Sequence, residues 1–557
     1  MKPNILLLMT DQLRGDCIGA AASTGHAGNP DVKTPYLDTL AATGDYFPNA
    51  YTACPSCIAA RATLMTGLNP RHTGRVGYRD GVCWDYPRTL AGELHNAGYY
   101  TQCVGKLHVH PLRNNLGFDN VLLHDGYLGY YRKPDTPYCE HQTVADDYFH
   151  WLKCELGADA DITDTGIECN SWVARPWPYE ERYHPTNWVA SNALDFLRRR
   201  DRSKPFFLYA SFVRPHPPFD APQCYFDLYS NRELALPAVG DWCEPPAWPG
   251  GRKYDGDDGI ADPELLRQAQ AGYYACVTHL DHQIGRILQA LEQDGSRENT
   301  IILFCADHGE LLGDHHTYRK IRPYQGSIRI PLIWNLPGGH CGAVHSELAA
   351  LQDIMPTLLD LAGGDSSGLD GCSLAPLLTA TPETAPCAEQ KPTPAGETCE
   401  STTSSLASGE SDINPIPPRE SALTLNRELC ESTTSSLGSG ESDISPILRH
   451  GCKSAVRSYI HGEHSAGALG NQYIVTQRDK YVWFMESGRE QYFDLASDPR
   501  ELHDGIADPA NRERIAELRN ILIRELGGRE EGYTDGTRLI PGRNQRAVLA
   551  EAIRQDH

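Results

Sequence analysis

The sequence predicts an α/β protein: a large, mostly parallel central sheet flanked by helices, with a smaller C-terminal antiparallel-sheet subdomain. Three observations lead there. Short apolar runs at residues 5–9, 100–104, 204–212 and 300–306 each end in a polar cluster. Strands buried on both faces of a parallel sheet read this way, and ligands gather at their carboxyl ends. Amphipathic helix patterns lie between them, at 89–99 and 271–291, as crossover helices do. Beyond residue 450, strand-like runs follow one another at 458–460, 472–476, 480–484 and 490–495, before a helix pattern over 511–526. Close spacing of that kind suits an antiparallel sheet.

The first run, Ile5 to Met9, is shorter than a signal-peptide core and has no cleavage site after it. It leads directly into Asp11 and Gln12, so it reads as a buried strand. No apolar run reaches the ~18–20 residues of a membrane span. A formal net charge of -23 over 557 residues argues against a broad nucleic-acid surface, which needs clustered Lys and Arg. The 18 cysteines form no paired CxxC motifs at zinc spacing. Without an export signal they read as reduced thiols, and the chain as cytoplasmic.

The chemistry centres on Cys57-Ile58-Ala59-Ala60-Arg61. Alone, Cys57 is a small hydrophobe, the usual fate of a free cysteine. Its weight comes from the polar residues that close the apolar runs. Asp11 with Gln12 and Asp307 with His308 supply two carboxylates from two strand ends. Gly105-Lys106-Leu107-His108 places Lys106 and His108 two residues apart, on one side of an extended strand end. Pro215-His216-Pro217-Pro218-Phe219 closes the third run, and Lys320 lies on the loop behind Asp307.

Together these motifs resemble the type I sulfatases of the alkaline-phosphatase superfamily. That family's motif is Cys or Ser, any residue, Pro or Ala, any residue, Arg, with the first residue oxidised to formylglycine. Cys57 fits it, with Ala59 in the third place; Cys54 does not. The resemblance spans about residues 4–498. It implies a formylglycine made from Cys57 by a maturation enzyme. It implies one divalent cation, Ca²⁺ before Mg²⁺ or Mn²⁺, held by Asp11, Gln12, Cys57, Asp307 and His308. Arg61 would brace the formylglycine and the metal carboxylates. Lys106 and Lys320 would contact sulfate, His108 the formylglycine hydroxyl, and His216 the leaving oxygen. A hydrated aldehyde carries two hydroxyls on one carbon, one to attack sulfur and one to expel sulfate afterwards. The implied activity is hydrolysis of a sulfate monoester, of a sulfated carbohydrate or an aryl sulfate. The alternative on the same scaffold is a phosphonate monoester or phosphodiester hydrolase.

The chain divides into a catalytic domain over 1–378, an insert over 379–449 and a C-terminal subdomain over 450–557. The insert is rich in Ser, Thr, Pro, Gly and Glu, and its residues 399–416 nearly repeat at 430–447. Two copies make no solenoid, so a polar low-complexity insert is expected. Residues 119–183 are rich in aromatics. Tyr127, Tyr130, Tyr131, Trp172 and Trp177 are candidates either to stack on a substrate ring or to pack the loops. No oligomeric state is legible.

Overall fold

A computed structural model describes residues 2–24, 28–126, 145–167, 169–244, 262–380 and 457–550. Residues 1–382 and 450–557 form one compact unit. The insert lies outside the described residues, apart from its first two positions, and so do Tyr127, Tyr130 and Tyr131.

In chain order the strands are β1 (Asn4–Asp11), β2 (Asp45–Tyr46), β3 (Ala50–Tyr51), β4 (Tyr100–Gly105), β5 (Asn120–Leu123), β6 (Phe206–Pro215) and β7 (Thr300–Ala306). They continue as β8 (Leu332–Asn335), β9 (Ala343–Val344), β10 (Ala349–Ala350), β11 (Ile460–His464), β12 (Asn471–Val475), β13 (Lys480–Phe484) and β14 (Glu490–Phe493). The main sheet has eight strands in the order β5-β4-β6-β1-β7-β8-β2-β9. From β5 to β7 all pairings are parallel; β8 runs antiparallel to both β7 and β2. Residues 5–9 of β1 and all of β7 are buried, so the apolar runs are central strands covered on both faces.

Helices Pro185–Arg199 and Pro263–Gln293 pack together and cover the sheet beside β6. The second begins well before residue 271, where the expected pattern starts. Asp262 caps it and Pro263 fills its first position, the preferred place for proline. A separate four-stranded antiparallel sheet, β11-β12-β13-β14, closes the chain. One of its faces buries Ile474, Tyr481 and Trp483 against Ile515, Leu518 and Leu522 of helix Arg512–Glu525. The other buries Tyr473, Val475 and Val482 against Tyr51, Ile328 and Leu348 of the main body. A single sheet thus links the C-terminal helix to the neighbourhood of Cys57.

Among the described residues no helix is long and apolar enough to cross a membrane. The expectation of uniformly reduced thiols fails at Cys372, which is disulfide-bonded.

Candidate active site

Strands β4, β6, β1 and β7 are neighbours and parallel, so their carboxyl ends open on one edge of the sheet. Thr10 pairs with Ala306 and Asp11 with Pro215. Asp11 therefore sits between the Asp307 turn and the His216 turn. The Gln12 amide donates to Asp307 Oδ1 at 3.0 Å, and the His216 amide to the Asp11 carbonyl at 3.1 Å. Gln12 carries φ 69, a backbone state that side chains other than glycine seldom adopt outside constrained sites.

Cys57 is the first residue of helix Cys57–Thr66, whose residues are all buried. Its thiol stands at the positive end of the helix dipole. Arg61 lies one turn on, on the same face, which gives the motif's spacing its physical reason. Fully buried, Arg61 donates from Nε to Asp307 Oδ2 at 3.1 Å and from Nη2 to Asp11 Oδ2 at 3.2 Å. Its Nη1 donates to Tyr209 Oη at 3.0 Å, Ser211 Oγ at 2.9 Å and the Lys106 carbonyl at 2.9 Å.

The thiol occupies the place that the oxygens of an oxidised residue would take. Cys57 Sγ lies 3.2 Å from His308 Nε2, 3.3 Å from Lys320 Nζ and 3.7 Å from Asp11 Oδ1. Burial and Asp11 push the thiol up, but Lys106, Lys320 and His308 outweigh them and hold it below its ordinary value. Burial would also raise the Asp11 carboxyl. Lys106, with Arg61 and Lys320, overcomes that and keeps it well below the usual carboxylate range. Lys106 Nζ is 2.5 Å from Asp11 Oδ2.

Asp11, Cys57, Asp307 and His308 each offer a donor atom within 4.8 Å of the others. His308 Nδ1 sits 2.9 Å from the Gly309 carbonyl. Only an N–H can face a carbonyl, so a neutral His308 carries its lone pair on Nε2, on the Cys57 side, as ligating imidazoles do. Gln12 Oε1 accepts from Lys320 at 2.7 Å. Two buried carboxylates, an amide oxygen and an imidazole fit a divalent cation that prefers oxygen.

Lys106 and His108 do not lie on an extended strand end, as the sequence suggests. Gly105 has φ 104, and an added Cβ would lie 1.9 Å from the Ser211 carbonyl oxygen. The chain then wraps around Asp125, which accepts the amides of Leu107 and His108 at 2.9 Å each. The turn still brings both side chains to one cavity of about 250 Å³, with Cys57, His216 and Lys320. Tyr78, Val213 and Ile321 add apolar wall. A second cavity, of about 220 Å³, lies among Arg14, Asp16, Asp314 and Glu501, and none of these site residues lines it. Trp172 and Trp177 do not line the site cavity. They are buried, Trp172 stacked on Tyr318 and Trp177 edge-on to His184.

Several supporting residues escape the sequence reading. Tyr209 and Ser211 brace Arg61; they alternate along β6, so their shared face was legible. Glu310 accepts from Gln12 Nε2 and stands two residues after His308. Asp125 and Asp220 carry no local signal.

Parallel strand ends that converge on a carboxylate–imidazole cluster able to hold a metal ion, beside a cysteine at a helix N-terminus, make a centre suited to ester hydrolysis. The family model described as Sulfatase matches residues 3–364, and the chain belongs to that family. It is 44% identical over 548 residues to the arylsulfatase of Clostridium perfringens, covering 97% of this chain and 98% of that one. It is 32% identical over 404 residues to the choline-sulfatase of Rhizobium meliloti, covering 69% of this chain and 73% of that one. Among solved structures, the phosphonate monoester hydrolase of Agrobacterium radiobacter aligns with a TM-score of 0.66 at 23% identity, covering 94% of this chain and 95% of that one. That likeness speaks for the fold. The chain is a sulfuric ester hydrolase. A metal ion and a formylglycine belong to its family in general.

Proposed function

We propose that the chain removes sulfate from a small monoester carried on a single ring, aryl or saccharide, with Cys57 as the site of formylglycine formation. The observation that carries this is the convergence of Lys106, Lys320, His108 and His216 on the cavity that Cys57 lines. At about 250 Å³ it is smaller than the usual ligand pocket of roughly 300–1,000 Å³. Ca²⁺ is the preferred cation because oxygen donors dominate the cluster.

When present, the formylglycine and the cation would supply an activated hydroxyl nucleophile and a Lewis acid for the sulfate oxygens. The chain's own residues do the rest. Arg61 fixes the two carboxylates in register. Lys106 and Lys320 face the ester's negative charge. His108, held by Asp125, orients the nucleophile's hydroxyl. His216 Nδ1 donates to the Pro217 carbonyl at 2.8 Å, leaving Nε2 for substrate. Burial and then Lys320 hold its imidazole well below the ordinary histidine value, so it waits uncharged. A bound sulfate ester offsets the nearby lysines, which lets Nε2 take a proton from solvent water and deliver it to the leaving oxygen as the sulfur–oxygen bond breaks.

The test compares kcat/KM for an aryl sulfate, an aryl phosphodiester and an aryl phosphonate monoester. The sulfate should lead by at least ~100-fold. A lead for either phosphorus ester would overturn the sulfate assignment in favour of the phosphonate or phosphodiester reading. Sulfate release from a sulfated polysaccharide faster than from its monosaccharide would overturn the small-ester assignment.

A further inference from the structure

At the far edge of the main sheet, away from the site cavity, a second cluster brings together three metal-competent side chains. Asp45 opens β2, and β9 pairs with β2 in parallel, Asp45 opposite Ala343. His340 precedes β9 and His345 follows it, so the register delivers both rings to one carboxylate. His340 Nδ1 is 2.5 Å and His345 Nε2 2.7 Å from the same oxygen, Asp45 Oδ1. All three donor atoms lie within 4.8 Å of one another.

A second observation concerns the other oxygen of that carboxylate. Asp45 is fully buried, and its Oδ2 has no hydrogen-bond partner. A buried carboxylate oxygen left bare is costly, and a cation would satisfy it. The rings are also supported from behind. His340 Nε2 meets the Ala380 carbonyl, which requires an N–H there and aims Nδ1 at Asp45. A ligating histidine commonly donates its second N–H to a carbonyl in this way. His345 stacks on Phe47, with ring centroids 4.5 Å apart and planes at 15°. Its backbone amide donates to the Tyr46 carbonyl at 2.9 Å.

We propose that Asp45, His340 and His345 form a second divalent-metal site that takes Zn²⁺ or a similar borderline cation and ties edge strand β9 to β2. Two imidazoles and one carboxylate suit such ions better than Ca²⁺. Without metal, His340 faces two acceptors, Asp45 and the Ala380 carbonyl, and holds a proton on each nitrogen. Binding displaces both protons directed at Asp45: His340 Nδ1 gives its proton to solvent, His345 takes the Nδ1–H tautomer, and the cation occupies their place. Both rings keep some exposure, 11% for His340 and 13% for His345, so they can turn to admit the ion, and a water can complete its shell. Strand β8 stands between this cluster and β7 in the sheet, so the two sites are independent.

The experiment uses the full chain loaded with its catalytic cation and titrated with Co²⁺ and then Zn²⁺. The wild type should bind about one further equivalent of Co²⁺ with the visible absorption of a low-symmetry four-coordinate ion. Zn²⁺ should displace it and raise Tm. His345→Ala and His340→Gln should lose the absorption and the Tm shift while keeping aryl sulfate turnover within about twofold. Asp11→Asn should keep the absorption. No added equivalent in the wild type would overturn the proposal and leave the cluster an ion pair only. An absorption unchanged in both histidine variants, or lost in Asp11→Asn, would overturn it equally.

Discussion

Arg214 grips both carboxylate oxygens of Asp220, Nε to Oδ1 and Nη2 to Oδ2 at 2.6 Å each, and the loop between them carries His216. Both side chains are buried. Burial pushes the Asp220 carboxyl up, but Arg214 and His184 pull it further down, to about 2. That lies below the 3.8 of an unpaired aspartate. The pair's contribution to stability is therefore complete above ~pH 4 and is lost as the pH falls through the folded value. The shift is worth about 2 kcal/mol. Urea denaturation between about pH 6 and pH 3 should show stability falling with acid in the wild type and a flatter profile in Asp220→Asn. Parallel profiles would assign the acid loss to other groups.

Cys57→Ala should abolish turnover and leave the fold intact. The side chain is small and Ala costs a helix nothing, so the melting temperature should stay close to that of the wild type. Deleting an activated nucleophile costs roughly four to six orders of magnitude in kcat. In parallel, peptide mass mapping of wild-type protein from its native host should show an aldehyde at position 57 in place of the thiol. A mutant that keeps most of its activity, or an unmodified thiol in active protein, would remove Cys57 from the chemistry.

Legibility from sequence followed burial. Strands β1 and β7 could be read because both faces are covered and their positions 5–9 and 301–306 are all apolar. The two-residue strands β2 and β9 could not, since no periodicity fits in two positions. The apolar run that leads into β8 starts at Ile330, yet the strand spans only Leu332–Asn335. The run's first residues leave β7 and turn towards β3 instead, where the Ile330 amide donates to the Ala50 carbonyl. The strand expected at 458–460 begins at Ile460 and runs to His464. Its Glu463 is buried against Arg529 at 2.9 Å, a tertiary partner that hides the alternation. Most of the candidate site residues stood at the ends of readable strands. Asp220 did not, because a pairing six positions apart across a proline-rich loop follows no helical or strand period.

Arg61 sits between two carboxylates that share no other arginine among the described residues. Replacing it with Met keeps the volume and deprives Asp11 and Asp307 of the guanidinium they share. Breaking a buried ion pair from one side costs about 3–5 kcal/mol. Arg61→Met should lose that much in urea denaturation of chelated protein. Added divalent cation should restore part of it, because the ion binds the same two carboxylates in the folded state only. Equal losses with and without cation would show that the carboxylates and the ion do not share a site.

Glu310 decides which way the Gln12 amide points. An ionised carboxylate only accepts. Glu310 Oε1 accepts the Leu312 amide at 2.9 Å and the Arg319 amide. Its Oε2 takes Gln12 Nε2, so Gln12 Oε1 must face Lys320 and the cation cluster. Glu310→Gln keeps an acceptor for the backbone amides but offers Gln12 a donor as well, which permits the flipped amide. The flipped form presents N–H to the cation and cannot ligate it. Cation affinity should fall by about 10–100-fold, the usual effect of losing a group that orients a ligand. Turnover at saturating cation should recover. Calorimetric titration of chelated protein measures the first, and an assay across cation concentration the second. Unchanged affinity would mean that Gln12 is not a ligand and that its contact with Lys320 is the reason for its place.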